Sequence, residues 1–250
     1  MLVFDREGIR FVLVQTRFRS FDGMTKTVQA ALEKNKGMPT VVVFPEAARG
    51  LDPVLRSETK EWIRKTQKLA KEHGNAHIFL SVIEKAPLKK TFTNTGYLIG
   101  PQAKNPEAAK PVQWQAYPKI SATKLEKHIM EKQPDIENAK SHWTRRSARL
   151  ADSETYREKE ELSFSFPRTI INGKKIELRV CFDSGLLNNE PAHIMVVPAK
   201  RLPVAREDIV RLNRSLKRRG FAIVNDASKT EGKKAFLIKR GGRIEHLRRK

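Results

Sequence analysis

Three side chains are placed where an enzyme could use them. Glu46 directly follows the β-branched run at residues 40–44, and a carboxylate at the carboxyl end of a buried strand lies where α/β folds place active sites. Cys181, the only thiol, ends another strand-like segment; it becomes a nucleophile only beside a base and a positive charge. Lys119 follows Tyr117-Pro118, and a desolvated lysine can stabilise an oxyanion. On placement alone, a solvated loop glutamate, a buried core cysteine and a surface lysine explain these residues at least as well.

Strand and helix patterns alternate through the first hundred residues. Apolar segments predict strands at residues 9–15, 40–44, 78–83 and 92–99. Two amphipathic helices are predicted between them, one over residues 24–35 and one that Ser57 caps and Gly74 closes. The side chains expected to face the core are Met24, Val28, Ala31 and Leu32 in the first helix and Trp62, Ile63, Thr66, Leu69 and Ala70 in the second.

Hairpin signals dominate the second half of the chain. The strand patterns at 92–99 and 112–117 flank a proline-containing loop, and those at 164–171 and 174–182 flank Asn172-Gly173, a strong two-residue turn signal. The polar segment 121–160 predicts surface helices and loops. Further strands are expected at 193–197, 221–224, 235–239 and 243–247, and a helix at 205–219 with Ala205, Ile209, Leu212 and Leu216 inward. This order predicts mixed sheets covered by helices, in a single domain spanning residues 1–250.

Taken in order, these segments resemble the nitrilase (carbon–nitrogen hydrolase) superfamily. Val41-Val-Val-Phe-Pro-Glu46 is similar to the block that ends in that family's catalytic glutamate, Tyr117-Pro-Lys119-Ile to its lysine block, and the strand from Gly173 to Asp183 to the one that carries its nucleophilic cysteine. Further matches are the opening strand at 10–15, Asn94-Thr-Gly-Tyr-Leu-Ile99 and Asn225-Asp226. The resemblance implies a four-layer α-β-β-α sandwich of two packed mixed sheets with outer helices.

The resemblance also implies a reaction. Glu46 would take the proton of the Cys181 thiol, and the thiolate would attack an amide carbon. Lys119 and the backbone N–H of Phe182 would hold the oxyanion, and Glu46 would protonate the departing amine. Glu46 would then activate water to hydrolyse the resulting thioester, with no metal or cofactor.

Two departures from the family leave parts of this scheme open. Many members carry a second glutamate soon after the lysine; the candidates here are Glu126 and Glu131, and solvated helix positions explain either of them as well. After the cysteine, Asp183 fits the family pattern, but the stretch through Glu190 diverges. Because that stretch lines the substrate pocket in the family, the substrate remains open between small amides and nitriles.

The composition of the chain limits the class of protein it can be. The chain has 250 residues, with 50 Lys and Arg against 28 Asp and Glu, a formal charge of +22. One cysteine excludes an intramolecular disulfide framework and a Cys-rich zinc site. No apolar run reaches the ~20 residues of a bilayer span, and the first residues carry charges where a signal peptide is apolar. We therefore expect a cytoplasmic protein.

The positive charge is concentrated near the carboxyl terminus. Residues 199–250 hold 17 Lys and Arg against 5 Asp and Glu, which is +12 of the +22. Nucleic acid, acidic lipid or an acidic partner would explain such a segment. Because neither aromatic interleaving nor zinc spacing accompanies the charge, the sequence favours a solubilising surface instead.

Three functions remain open from sequence. The favoured one is an amidase-type hydrolase acting on a small-molecule amide or nitrile. The second is an acyl transferase that passes the thioester's acyl group to an amine. The third is a non-catalytic basic protein that contacts nucleic acid or acidic partners; the joint presence of Glu46, Lys119 and Cys181 argues against it. The family resemblance further implies a homodimer or larger homo-oligomer.

Overall fold

The computed structural model describes residues 1–34, 37–85, 91–101, 114–118, 137–138, 166–180, 190–199, 212–226 and 234–247. In this part of the chain two mixed β-sheets, of eight and six strands, carry the architecture. Helices α1 (Phe21–Glu33) and α2 (Arg56–Glu72) accompany the first sheet. Neither of these helices is long and apolar enough to cross a membrane.

The first sheet contains the amino-terminal strands. They are β1 (Leu2–Arg6), β2 (Ile9–Leu13), β3 (Thr40–Val43), β4 (Val54–Leu55), β5 (Ala76–Lys85), β6 (Thr91–Ile99), β7 (Trp114–Pro118) and β8 (Glu137–Asn138). Their order is β1-β2-β3-β5-β6-β7, with β4 beside β5 and β8 beside β6.

The second sheet follows chain order from end to end. Its strands are β9 (Arg168–Ile171), β10 (Lys174–Leu178), β11 (Ala192–Ala199), β12 (Leu216–Asp226), β13 (Lys234–Lys239) and β14 (Ile244–His246). Successive pairs along the main path of both sheets are antiparallel, parallel, parallel, antiparallel and antiparallel. The two sheets therefore repeat one topology.

The same type of turn opens each repeat. Glu7-Gly8 joins β1 to β2 with φ of 55° and 70°, and Asn172-Gly173 joins β9 to β10 with φ of 49° and 70°. Two consecutive positive φ angles define the two-residue turn that matches strand twist. The two hairpins also touch, because the Asn172 amide donates a 2.8 Å hydrogen bond to the Gly8 carbonyl.

The main core lies between the sheets. Phe11 and Val41 of the first sheet join Ile176, Met195 and Ile223 of the second in one buried cluster. Alternate residues of β2 and β3 point the other way and pack against α1 and α2, forming a second cluster. The side chains that the helices contribute to it are Met24, Val28, Ala31, Leu32, Trp62, Ile63 and Ala70, with Leu69 at its margin. Burial on both faces explains why the strand at 40–44 is apolar without alternation.

Two local predictions are wrong. Helix α2 begins at Arg56 and its cap position is Leu55, so Ser57 does not cap it. The reason is that β4 pairs with β5 and leads the chain directly into the helix. The helix predicted over 205–219 is wrong at 216–219, where β12 has already begun; residues 205–211 lie outside the described part. Leu212 and Leu216 are buried, as predicted.

Candidate functional site

Glu46 lies in a tight turn that follows β3, and its side chain is completely buried. The next residue, Ala47, has a left-handed backbone with φ 53°. Its N–H donates to the Ser81 hydroxyl over 2.9 Å, and the Ala48 N–H donates to the Ser81 carbonyl over 2.9 Å. Strand β5 therefore fixes the turn. A solvated loop glutamate, one of the two explanations open from sequence, does not describe Glu46.

An amide from β6 directs the Glu46 carboxylate. Asn94 Nδ2 donates a hydrogen bond to Glu46 Oε1 over 3.0 Å, and Asn94 is itself buried. Burying a carboxylate is unfavourable unless polar partners compensate it. The Asn94 contact thus both offsets part of that cost and sets the direction of a group that can accept or donate a proton.

Arg17 adds a positive charge beside this turn. Its Nε donates to the Glu46 carbonyl oxygen over 3.0 Å, and its buried Nη2 has no hydrogen-bond partner among the described residues. Loss of solvation lowers the pKa of Arg17, while the nearby carboxylates of Glu46 and Asp226 act in the opposite direction. The site therefore combines two acidic residues with one half-buried guanidinium.

Asn225 ties the site to the second sheet. This fully buried residue of β12 donates from Nδ2 to the carbonyls of Val14, over 3.0 Å, and Val43, over 2.9 Å. Both carbonyls lie at the carboxyl ends of β2 and β3, and Val43 leads into the Glu46 turn. One side chain from the far sheet thereby holds two strand ends of the near sheet in place.

The other predicted site residues, Lys119, Cys181, Phe182 and Glu126, lie outside the described residues. The described residue before Lys119 is Pro118, which pairs with Thr95, the neighbour of Asn94. Two residues before Cys181, the Arg179 N–H donates to the Val196 carbonyl over 3.0 Å. Within the described residues no three His, Cys, Asp or Glu side chains form a group that could ligate a metal ion.

The sequence prediction missed three side chains that support Glu46, namely Asn94, Arg17 and Ser81. Asn94 carried a usable signal, since an amide inside an apolar strand must find a buried partner. Arg17 and Ser81 carried none, because charged and hydroxyl side chains are equally common on solvated surfaces.

No protein-family model matches the sequence, and no curated protein matches it. Solved structures do match the fold. The amidase from Nesterenkonia sp. aligns over 99% of this chain and 90% of its own, with 12% identity and a TM-score of 0.55. A Nesterenkonia sp. AN1 amidase variant, with an acetamide moiety added covalently at its active-site cysteine, aligns over 98% and 89%, with 10% identity and a TM-score of 0.58.

A third similar structure is a CN-hydrolase superfamily protein from Xanthomonas campestris with an arsenic adduct in its active site. It aligns over 97% of this chain and 86% of its own, with 17% identity and a TM-score of 0.55. This chain therefore has the fold of nitrilase-superfamily proteins. The finding confirms the family resemblance at the level of fold, together with the predicted sandwich of two mixed sheets.

Proposed function

We propose that this protein is a thiol hydrolase that cleaves the carbon–nitrogen bond of a carboxamide, with Glu46 as acid–base and Cys181 as nucleophile. The observation that carries the proposal is the buried Glu46 carboxylate, directed by Asn94 at the carboxyl end of β3. Two further points support it. The fold is shared with amidases, and the sole cysteine lies in the sequence block that resembles the family's nucleophile strand.

The first half-reaction forms a thioester. Glu46 accepts the proton of the Cys181 thiol while sulfur bonds to the carbonyl carbon. Lys119 and the Phe182 N–H stabilise the oxyanion. The carbon–nitrogen bond then breaks, and Glu46 passes its proton to the departing nitrogen, so that ammonia or an amine leaves.

The second half-reaction regenerates the thiol. Glu46 takes a proton from water, whose oxygen bonds to the thioester carbon. The carbon–sulfur bond breaks, the carboxylic acid leaves, and the proton held by Glu46 returns to sulfur. One amide and one water thus give one acid and one amine.

The test is a screen of amides and nitriles that follows ammonia release. We expect Cys181→Ala and Glu46→Gln to abolish turnover, and Lys119→Ala to lower it roughly 10²–10³-fold, the usual loss for one oxyanion donor. Glu72→Gln on the exposed surface of α2 is the matched control. Near-normal turnover by the Cys181→Ala variant would exclude this mechanism.

The same thioester permits acyl transfer to an amine. Adding hydroxylamine to the assay separates the two outcomes, because a hydrolase gives mainly acid while a transferase gives mainly hydroxamate. We propose hydrolysis, since the solved structures that share the fold include amidases.

We also propose that residues 1–250 form one domain that works as a homodimer or larger assembly. Alignments that cover 97% or more of the chain with a single fold support the first part. Small-angle scattering should return at least twice the 28.6 kDa chain mass. A monomer mass at every concentration would contradict the second part.

A further inference from the structure

A basic bulge interrupts the pairing of β11 with β12. Ala192 pairs with Leu216 and Ile194 with Phe221, so residues 217–220 of β12 face the single residue His193 of β11. Arg219 within this bulge has φ 71°, a left-handed conformation that arginine rarely adopts. Bulges of this kind bend a strand and redirect its side chains.

Tight backbone packing holds the bulge against β11. A Cβ placed on Gly220 would lie 2.9 Å from the carbonyl oxygens of His193 and Lys217. Only glycine therefore fits at position 220. The side chains of the three residues before it point outward. Lys217, Arg218 and Arg219 are all exposed.

The turn after β13 brings two more cations to the bulge. The Arg240 N–H donates to the Gly220 carbonyl over 3.1 Å, and Arg243 lies at the far side of the same turn. Both side chains are exposed. We call Lys217, Arg218, Arg219, Arg240 and Arg243 the basic corner.

Among the described residues, acidic side chains form ion pairs with cations around this corner, and Glu245 also experiences the charge of Arg243 without pairing with it. Glu245 pairs with Lys239 over 2.9 Å and with Arg6 over 3.8 Å, and Glu7 pairs with Lys174 over 2.9 Å. Across the described residues, none of the five side chains of the basic corner forms an ion pair. The corner thus presents five positive charges to solvent. Neighbouring like charges repel one another, and a bound anion would relieve that repulsion.

The basic corner lies at the opposite end of β12 from the candidate active site. From Phe221, next to the bulge, to Asn225 the strand rises about 13 Å, and Asn225 contacts the strand ends that lead to Glu46. The corner therefore does not serve the reacting amide, and its role is independent of the proposed hydrolysis.

We propose that the basic corner binds the phosphate backbone of a nucleic acid. Four of its five side chains are arginines, whose planar guanidinium groups match phosphate oxygens in pairs. Acidic lipid headgroups would also attract these charges, but stable membrane binding usually adds apolar side chains that insert between lipids. Ile244 is the only exposed large apolar residue bordering the corner in the described part. None of the five side chains is an aromatic or an amide, and the Asn213 amide at the same turn already accepts from the Gly241 N–H over 3.0 Å. Binding is therefore expected without sequence preference.

The sequence favours a solubilising surface over a nucleic-acid contact, but the backbone around these charges argues for the nucleic-acid contact. Charges that only aid solubility require no particular backbone. Here three cations lie in a bulge that places Arg219 in a strained conformation, and such strain persists only where the surrounding structure enforces it.

The test compares two variants that each lose three positive charges. The corner variant is Lys217→Gln, Arg218→Gln and Arg219→Asn, since asparagine tolerates a positive φ. The control is Lys60→Gln, Arg64→Gln and Lys68→Gln on the exposed face of α2. Fluorescence anisotropy measures binding of the full chain to labelled duplex DNA and to single-stranded RNA across a potassium chloride series.

We expect the wild-type affinity for duplex to fall linearly with salt on logarithmic axes. The corner variant should bind at least about tenfold more weakly at low salt, with a slope shallower by roughly 2–3, while the α2 control stays near wild type.

Equal losses in both variants would overturn the proposal, as would absence of nucleic-acid binding. Binding to phosphatidylserine vesicles but not to nucleic acid would assign the corner to a membrane instead. Thermal unfolding checks the fold, and Arg240→Gln with Arg243→Gln provides a second variant outside the bulge.

Discussion

At the scale of single residues, the proposed chemistry depends on how the Glu46 carboxylate is aimed. The side chain is fully buried, and the Asn94 amide donates to Oε1 over 3.0 Å. A proton-transfer group must stay within hydrogen-bond reach of its partner throughout the reaction. In the proposed mechanism, Asn94 is therefore a positioning residue for Glu46.

Replacing Asn94 with alanine should lower kcat more than it changes KM. The carboxylate loses one buried donor that directs it, and a displacement of about 1 Å at a reacting group can cost ~10²-fold in rate. Steady-state kinetics on a substrate from the amide screen measures the effect. Thr93→Ala, one position earlier on the opposite face of β6, is the control; equal losses in both variants would contradict a positioning role.

His77 is a second residue whose setting has a measurable consequence. It bridges the two sheets, with Nε2 lying 3.3 Å from the Thr169 hydroxyl, and it packs so closely on Gly100 that a Cβ there would lie 2.5 Å from the ring. Burial lowers the pKa of His77 from 6.5 to about 4. The folded protein consequently holds this imidazole neutral at pH values where the unfolded chain would protonate it.

Stability should therefore fall as the pH is lowered through this window. Because the folded pKa lies below the unfolded one, the His77 contribution is complete above pH 6.5 and is lost progressively toward pH 4. Between about pH 7 and pH 4.5 the loss is roughly 2–3 kcal/mol. Urea unfolding of wild type and His77→Gln at both pH values isolates the contribution, and identical pH dependence in the two proteins would refute it.

At the scale of elements, one side chain from the second sheet holds the end of the first sheet that carries Glu46. Asn225 of β12 donates to the carbonyls that end β2 and lead from β3 toward Glu46. Apolar packing between sheets resists separation but allows small sliding, whereas two hydrogen bonds from one buried amide fix position.

Replacing Asn225 with alanine should destabilise the fold by about 1–3 kcal/mol, the cost of leaving one buried polar group without its donor. The Val14 carbonyl would lose the Asn225 amide, whereas the Val43 carbonyl would keep the Val14 N–H, which donates to it over 2.8 Å. Asn172→Gly is the control, since it removes another bond from an asparagine to a backbone carbonyl across the sheets, but an exposed one. Denaturant unfolding should show less than about 1 kcal/mol for that variant, and similar losses would argue against the importance of burial.

Element prediction succeeded where the pattern was local. The apolar spacing of α1 and the Asn172-Gly173 turn both agree with the structure, because each depends on side chains within a few residues. The error at 216–219 has the opposite origin. Three of these four residues are charged and all are helix-compatible in isolation, but Leu216 pairs with Ala192 of β11. The strand continues from Leu216 through the bulge to Phe221, where pairing with β13 begins.

At the scale of the whole molecule, a charge of +22 acts on folding as well as on partners. Like charges repel more in the compact state than in the unfolded chain, which lowers stability. Salt screens this repulsion over a Debye length of ~10 Å at 0.1 M.

The melting temperature should therefore rise by a few degrees when potassium chloride increases from about 10 to 200 mM, which corresponds to roughly 1 kcal/mol for a chain of this size. Differential scanning fluorimetry measures the shift. The corner and α2 triple variants should both show a smaller rise, since each has a formal charge reduced by three. A melting temperature that falls with salt would mean that surface ion pairs outweigh the repulsion.

The sequence by itself determined the alternation of elements, the stripes that α1 and α2 bury, the hairpin at Asn172 and the placement of Glu46 after a buried strand. These features follow from periodicity and turn chemistry, which act over a few residues. The functional roles of Glu46, Lys119, Cys181, Phe182 and Glu126 stay predictions from the family resemblance.

Only the tertiary structure decided which distant residues meet. Asn94 reaches Glu46 across 48 positions, and Asn225 reaches Val43 across 182. Strand register likewise places Arg240 against the bulge at residues 217–220 and so assembles the basic corner. Such contacts depend on register and on the packing of two sheets, and a shift of one residue in register would turn every side chain of a strand to the other face.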